Sequence, residues 1–191
     1  MGEAKGMSIN LNKNIYIIRH CEAEGQSEDA PLTVKGLEQA EKLSDFFYNK
    51  KVDHIISSPF LRAIQTIQPL ANRLNLEIQI DNRLSECLLS SMPMSDWLDK
   101  LHATFDNLDL KYSGGESSKE AMDRIVNVVI DSLESEHEST VIVTHGNIMS
   151  LLLHHFDKNF GFEQWKELTN PDVYLLNSFD EKINYTRLWD E

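Results

Sequence analysis

Residues 14–20 read NIYIIRH, a short apolar run that ends in an arginine and a histidine. The apolarity is nearly continuous rather than alternating, which is typical of a β-strand covered on both faces. Residues 140–146 read TVIVTHG and repeat this pattern, again with a histidine at the exit. The two stretches therefore predict central strands of one sheet, each with a histidine at its carboxyl end.

Strand and helix patterns alternate along the rest of the chain. Further strands are predicted at 53–57 and 77–81, followed by two closing strands at 173–179 and 183–189. Helices are predicted from Thr33 as an N-cap and from Pro59 as a first helical residue. A long helix is predicted after Gly114-Gly115, with Leu133 near its end, and another over 147–155. This alternation predicts an α/β fold, a three-layer sandwich with a mixed, mostly parallel sheet.

The domain organisation follows from the same patterns. A chain of 191 residues fits one domain, since most domains have roughly 100–200 residues. We predict a polar N-terminal tail at 1–13 and a single domain at 14–191. Within that domain, residues 88–113 are predicted to form a helical insertion. Its apolar side chains keep helical spacing: Trp97, Leu98, Leu101, Phe105 and Leu108.

Charge and cysteine content limit the possible partners. The chain has 31 Asp and Glu against 18 Lys and Arg, a formal net charge of −13. This balance disfavours nucleic acid and anionic membrane surfaces. Two cysteines are too few for a disulfide framework, and the sequence contains neither a signal-peptide core nor a membrane-spanning apolar run. We predict a cytoplasmic protein without nucleic-acid or membrane partners, and its oligomeric state stays open.

Chemistry-bearing residues follow three of the predicted strands. Ligands of open α/β sheets bind beyond the carboxyl ends of the strands, which here carry Arg19-His20, Ser57-Ser58 and His145-Gly146. A histidine beside an arginine can attack phosphorus while the arginine binds the anion, although a lone histidine is more often a surface or capping residue. Arg62 lies in the first turn of the next helix, where anions bind, and is either a phosphate clamp or a solvated residue.

Six short motifs in order carry a family resemblance. They are Arg19-His20-Cys21-Glu22, Leu32-Thr33 with Gly36 and Gln39-Ala40, Ser57-Ser58-Pro59 with Arg62-Ala63, Leu84-Ser85-Glu86, Gly115-Glu116-Ser117 and Thr144-His145-Gly146. With these motifs over residues 14–189, the chain resembles the histidine phosphatase superfamily, whose fold is phosphoglycerate-mutase-like.

The resemblance implies a role for each matching residue. His20 is expected to be the nucleophile that forms a phosphohistidine, with Arg19, Arg62, Gln26 and Gly146 binding the phosphoryl group. His145 is expected to stabilise the equatorial oxygens as an imidazolium. Glu86 is expected to protonate the leaving oxygen and later activate water, which requires a raised pKa; its alternative is a plain helix-start carboxylate. No metal and no cofactor are implied, because Arg and His meet the phosphoryl charge.

Cys21 departs from the family pattern, which has glycine at this position. A side chain there either crowds the loop or points away from the phosphate. Cys21 follows the nucleophile and Cys87 follows the acid, so a redox switch is one interpretation. We favour the other, that both are small buried residues. Glu22 is predicted to hold the loop after the first strand, and Glu116 is predicted to be a carboxylate at the start of a helix.

The insertion distinguishes members of the family. A mutase holds a second phosphate or carboxylate, but between Cys87 and Gly115 only Lys100 and Lys111 are basic. We therefore predict a metal-independent phosphatase for a small, weakly charged or apolar phosphomonoester, although the apolar stripe can also be core packing. Phosphoglycerate mutase-type transfer, a phosphoprotein phosphatase and an inactive binding module are the alternatives. Activity is expected to survive chelators and to peak at mildly acidic pH.

Overall fold

The computed structural model describes residues 13–179 and 182–189, in which six strands form one sheet. The strands are β1 (Asn14–Arg19), β2 (His54–Ser57), β3 (Ile78–Ile80), β4 (Ser139–Thr144), β5 (Asp172–Phe179) and β6 (Lys182–Arg187). Their order is β3-β2-β4-β1-β5-β6. The pairs β1–β4, β2–β4 and β2–β3 are parallel, whereas β5 is antiparallel to both β1 and β6. The predicted mixed, mostly parallel sheet is confirmed.

Helices cover both faces of the sheet. They are α1 (Val34–Phe46), α2 (Leu61–Leu74), α3 (Trp97–Asp106), α4 (Ser118–Glu134), α5 (Gly146–Phe156) and α6 (Phe162–Lys166). On β1, Ile15 and Ile17 pack with the α4–α5 layer, while Tyr16 and Ile18 pack with the α1–α2 layer. All four side chains are buried. The near-continuous apolar run thus reflects a strand covered on both sides, as a three-layer sandwich requires.

The start of α2 differs from the prediction. Thr33 is the N-cap of α1 as predicted, its Oγ1 accepting from the Gly36 N–H at 2.9 Å. Pro59, however, is not the first helical residue, because α2 begins at Leu61. The chain stays in register with the sheet beyond β2, since the Ser58 N–H donates to Val143 O at 2.9 Å. The helix can therefore start only after Pro59.

The insertion segment (residues 88–113) is less helical than predicted. Its helix is α3 alone, because the Ser- and Pro-containing stretch before Trp97 and the Asn107–Tyr112 stretch form turns. The two ends of the segment meet: the Ser91 N–H donates to Ser113 O at 3.1 Å, and the Glu116 N–H to Leu88 O at 2.9 Å. A Cβ on Gly115 would lie 2.3 Å from Leu89 O, so this junction requires glycine.

The beginning of the chain is described only in part. Residues 1–12 of the predicted tail lie outside the described residues. Lys13 is buried, and its Nζ donates to Ser135 O. No helix in the described ranges is long and apolar enough to cross a membrane.

Asp172 is a buried carboxylate at the start of β5, and its loss is expected to destabilise the fold. It accepts from the Thr169 and Val173 N–H groups at 3.0 Å and pairs with Arg187 at 2.6 Å. We expect Asp172→Ala to cost about 3 kcal/mol, the lower end for breaking a buried pair, because Arg187 is partly exposed. Urea unfolding measures this. Asp45→Ala, which breaks an exposed pair with Arg73, is the control and should cost less than about 1 kcal/mol; equal losses would contradict the prediction.

Candidate active site

His20 stands at the end of β1 with one unprotonated ring nitrogen. Its Nδ1 lies 2.7 Å from the Cys21 carbonyl oxygen, which only accepts, so Nδ1 carries the proton. Its Nε2 lies 3.2 Å from Arg62 Nε, which only donates. The Nε2 lone pair therefore faces the arginine. Burial, more than the nearby arginines, lowers the pKa of His20 to about 3, so the ring is neutral at physiological pH.

Arg62 is brought beside His20 by the first turn of α2. Its side chain is fully buried, and its Nη1 donates to the carbonyl oxygens of Gln26 and Ser27 at 3.2 and 2.7 Å. Phe60 packs against the guanidinium, whose Cζ lies 4.8 Å from the ring centroid. The guanidinium is thus held rigidly beside His20, as a phosphate clamp requires, rather than solvated.

Arg19 approaches from the end of β1. Its Nη1 donates to Leu168 O at 2.8 Å, which anchors the guanidinium to the segment before β5. Asn170 braces the same strand end, because its Nδ2 donates to His20 O at 2.7 Å. Burial lowers the pKa of Arg19, while the charges of Glu86 and Asp172 act in the opposite direction.

His145 follows β4 and faces His20, with their ring centroids 5.1 Å apart. The residue is fully buried, and its Nε2 lies 2.7 Å from Ser58 Oγ. Burial lowers the pKa of His145 well below its usual value, and the positive charges nearby act in the same direction. The ring is therefore neutral in the protein alone, whereas the sequence favoured an imidazolium.

Unpaired nitrogens distinguish this cluster from the rest of the described chain. Five buried side-chain polar atoms there lack a hydrogen-bond partner: Arg19 Nε, Arg62 Nη2, His145 Nδ1, Asn147 Oδ1 and Ser44 Oγ. The three nitrogens belong to residues predicted to bind phosphate. An unmade hydrogen bond to a buried donor costs about 1–3 kcal/mol, so such donors rarely collect in one place without a ligand to accept from them. The cluster has the chemistry of a preformed anion site.

Glu86 lies at the N-terminus of α5, close to the same cluster. Its carboxylate oxygens accept from the N–H groups of Cys87, Ile148 and Asn147 at 2.8, 3.0 and 3.1 Å. His145 is the N-cap of this helix. The predicted acid is therefore tied to the helix that also positions a predicted phosphate-binding histidine.

Arg124 on α4 is a positioning residue that sequence reasoning missed. Its Nη1 donates to the carbonyl oxygens of Arg83 and Ser85 at 2.6 and 2.7 Å, which fixes the chain just before Glu86. Its Nε donates to Glu116 Oε2 at 3.1 Å, so Glu116 pairs with an arginine rather than only starting a helix. No short motif in the sequence predicts these contacts, because they join separate segments of the chain.

Cys21 and Gln26 occupy different positions in the loop after β1. The Cys21 side chain is fully buried against Leu32 and Ala40, so it does not crowd the nucleophile. Burial raises the pKa of its thiol to about 12, and burial likewise raises that of Cys87, which leaves both thiols unreactive. Gln26 is exposed at the mouth of the site, and only its carbonyl oxygen is engaged, by Arg62.

Two cavities meet at Gln26, Glu86 and Cys87. One, of about 560 Å³, is lined by Phe60, Arg62, Asn82, Ser85, Glu116 and Arg124. The other, of about 540 Å³, is lined by Arg19, Gly146 and a set of apolar side chains: Leu89, Trp97, Leu101 and Trp165. The insertion segment supplies three of these four, so it forms one wall of the site.

Gly146 allows the Arg19 guanidinium to cross the start of α5. A Cβ at this position would lie 3.0 Å from Arg19 Nε and 3.2 Å from Cζ. We expect Gly146→Ala to displace the guanidinium and to raise KM for a phosphomonoester about tenfold, the loss of one misplaced charged hydrogen bond. Steady-state kinetics measure this. Gly25→Ala is the control, because its Cβ would have 3.8 Å of clearance; a normal KM for Gly146→Ala would contradict the prediction.

Neutral buried histidines make stability depend on pH. His20 has a pKa of about 3 in the folded protein against 6.5 in the unfolded chain, so the unfolded state takes up the proton first. The free energy of unfolding that the neutral His20 contributes is therefore lost progressively as pH falls from about 6.5 to about 3. We expect His20→Gln to lose less stability than the wild type between pH 7 and about pH 4 in urea unfolding. The exposed His102→Gln is the control, and equal losses in all three proteins would refute a neutral His20.

Known proteins are similar to this chain in sequence. The model of the histidine phosphatase superfamily (branch 1) matches residues 15–191. "Probable phosphoglycerate mutase GpmB" of Shigella dysenteriae is 28% identical, over 92% of this chain and 86% of its own length. "Putative phosphoserine phosphatase 2" of Hydrogenobacter thermophilus is 27% identical, over 74% of this chain and 77% of its own.

Solved structures have the same fold. Bacillus stearothermophilus YhfR matches with a TM-score of 0.77 at 20% identity, over 92% of this chain and 96% of that one. A mycobacterial glucosyl-3-phosphoglycerate phosphatase in complex with inorganic phosphate matches with a TM-score of 0.74 at 22% identity, over 94% and 97%. The predicted phosphoglycerate-mutase-like fold is confirmed. Because the family model covers nearly the whole chain, the chain belongs to branch 1 of the histidine phosphatase superfamily.

Proposed function

We propose that the chain is a metal-independent phosphomonoester phosphatase that works through a phosphohistidine on His20. Its family places the chain among phosphoric monoester hydrolases. One observation carries the finer proposal: the unpaired buried nitrogens belong to Arg19, Arg62 and His145, which all lie near a neutral histidine. A phosphoryl group is an anion whose oxygens can accept from all three, while its phosphorus is presented to the Nε2 lone pair.

In the first step, His20 Nε2 attacks phosphorus and the bond to the leaving oxygen breaks. The N–H groups of Arg19, Arg62 and His145 hold the equatorial oxygens as charge spreads over them. Glu86, protonated at this stage, gives its proton to the leaving oxygen, so an alcohol departs. His20 retains the Nδ1 proton through its bond to Cys21 O and becomes an N-phosphorylated imidazolium.

In the second step, Glu86 takes a proton from water, and the resulting nucleophile attacks the phosphohistidine. The P–N bond breaks, inorganic phosphate leaves and the Nε2 lone pair returns. Glu86 ends protonated, ready for another cycle. Because arginine and histidine N–H groups meet the phosphoryl charge throughout, the cycle has no step that needs a metal ion, and chelators are expected to leave it unchanged.

The leaving group is proposed to be small and weakly charged or apolar. The insertion segment forms one wall of the cavity beside Glu86. Its Leu89, Trp97 and Leu101 line this cavity together with Trp165 of α6. The arginines that line the two cavities are Arg19, Arg62 and Arg124. The first two serve the phosphoryl group, and Arg124 is bound to Glu116 and two carbonyl oxygens. None of the three remains to hold a second phosphate or a carboxylate.

Phosphoglycerate mutase-type transfer is the second candidate function. It is favoured by one observation, the 28% identity over 92% of this chain to a relative named as a probable phosphoglycerate mutase. A mutase must rebind a second anionic group of its substrate while His20 is phosphorylated. The commitment of Arg124 to Glu116 speaks against such a group beside Glu86.

A substrate panel in the presence of EDTA tests both functions. We expect phosphate release from aryl and short alkyl monophosphates, lower kcat/KM for 3-phosphoglycerate, and no interconversion of 2- and 3-phosphoglycerate with the bisphosphate primer added. Trp97→Ser should lower kcat/KM for the aryl esters more than for a small alkyl ester, because the wall contacts only a large apolar group. Mutase turnover, a metal requirement or silence on every ester would refute the proposal.

A further inference from the structure

Ser58 is held rigidly between the sheet and α2. Its backbone N–H donates to Val143 O at 2.9 Å, which fixes the chain at the end of β2. The side chain is fully buried. Its Oγ therefore has a fixed position, 2.7 Å from His145 Nε2.

The hydrogen bonds around Ser58 determine the direction of this contact. The Phe60 N–H donates to Ser58 Oγ at 3.3 Å, which uses one lone pair of the hydroxyl oxygen. The hydroxyl proton then has His145 Nε2 as its acceptor, since a buried hydroxyl donates to whatever acceptor it can reach. An Nε2 that accepts must be unprotonated, so the proton of the neutral ring lies on Nδ1. That is the nitrogen without a partner in the anion site.

We propose that Ser58 is a positioning residue that holds His145 in its Nδ1–H tautomer, so that the neutral ring donates to a bound phosphoryl oxygen. Phe60 supports the same orientation, because its ring packs edge-on against His145 with the centroids 4.7 Å apart. Without the Ser58 hydroxyl, the proton is free to move to Nε2, and Nδ1 would then present a lone pair to the phosphoryl oxygen. The inference rests on the proposed phosphate-binding role of His145, but the tautomer is measurable without turnover.

The test measures the ¹⁵N shifts of the His145 ring in the full chain, with and without inorganic phosphate as the probe. The wild type should show a neutral ring protonated at Nδ1 in both conditions. In Ser58→Ala the Nδ1–H signal should diminish, and affinity for inorganic phosphate should fall about 10- to 100-fold, the loss of one hydrogen bond to a charged group. Ser57→Ala is the matched control: it removes an equally buried hydroxyl that bonds only Ser58 O, and should change neither quantity.

Several results would overturn the proposal. A wild-type ring protonated at Nε2 or at both nitrogens does so, as does an unchanged tautomer in Ser58→Ala or an equal change in Ser57→Ala. If Ser58→Ala does not fold, the wild-type spectrum alone decides. If the tautomer and the phosphate affinities behave as expected but no phosphomonoester is hydrolysed, the positioning role stands and the proposed phosphatase function fails.

Discussion

Replacing His20 by glutamine is expected to lower phosphatase turnover by at least about 10⁴-fold, as the loss of a covalent nucleophile does in other enzymes. The attacking atom is Nε2 with its lone pair, whereas the nitrogen of a glutamine amide has no lone pair available for attack. The other histidine of the cluster is not expected to replace it, because its Nε2 faces Ser58 and its Nδ1 is proposed to carry the ring proton. Initial rates with an aryl phosphate in EDTA measure the loss, with His102→Gln as a control that should keep wild-type turnover.

The intermediate itself provides a second measurement of the same prediction. Rapid acid-free quenching of the wild type with a labelled phosphomonoester should trap phosphate on nitrogen, and the label should be absent from His20→Gln. Mass spectrometry of the labelled peptide should place it at residues 14–20. A label on His145, or one that persists in the variant, would contradict His20 as the nucleophile.

Replacing Glu86 by glutamine is expected to slow the first step, transfer of the phosphoryl group to His20, and more so for a more basic leaving group. Loss of a general acid costs about 10² to 10⁴ in rate. For an alkyl phosphate the full loss is expected, because an alkoxide does not leave unprotonated. For a nitrophenyl phosphate the first step should be nearly unaffected, since the nitrophenolate leaves without a proton. Single-turnover rates of the first step, measured for both esters in both proteins, test this difference.

Burst kinetics then separate the two roles of Glu86. With a nitrophenyl ester, Glu86→Gln should release one equivalent of nitrophenol rapidly and then turn over slowly, because the base that activates water is lost. Glu38→Gln, an exposed carboxylate on α1, is the control and should behave as the wild type. Equal slowing of both esters without a burst would show that Glu86 only holds the start of α5, where its oxygens accept from the Asn147 and Ile148 N–H groups.

The centre of the site could be predicted because its residues follow local patterns. Arg19, His20 and His145 stand directly after apolar runs whose length and composition indicate buried strands. Parallel strands bring their carboxyl ends to one edge of the sheet, so these side chains meet without any knowledge of distant contacts. Arg62 could be predicted from its place in the first turn of a helix, although that helix starts two residues later than expected.

Contacts between separate segments could not be predicted. Ser58 and His145 are 87 positions apart, and Arg124 reaches Arg83 across 41. The direction of the Ser58 hydroxyl depends on the Phe60 N–H, which itself depends on where α2 begins. The sequence predicts a helical insertion from an apolar spacing that continues to Leu108, whereas α3 ends at Asp106. Helical spacing therefore indicated which side chains share a face, but not how far the helix extends.

The joined ends of the insertion segment have a consequence for how specificity can diverge. Leu88 and Glu116, like Ser91 and Ser113, are bonded across the junction, so the chain leaves the framework and returns to it within a few ångströms. Loops with neighbouring ends can be exchanged or resized without moving the elements that carry them. The residues proposed to react lie outside the segment: on the sheet edge, on α2, at the start of α5 and, for Glu86, just before the segment. New substrate specificities can thus be acquired by replacing the insertion segment alone, whether by natural drift or in a designed chimera.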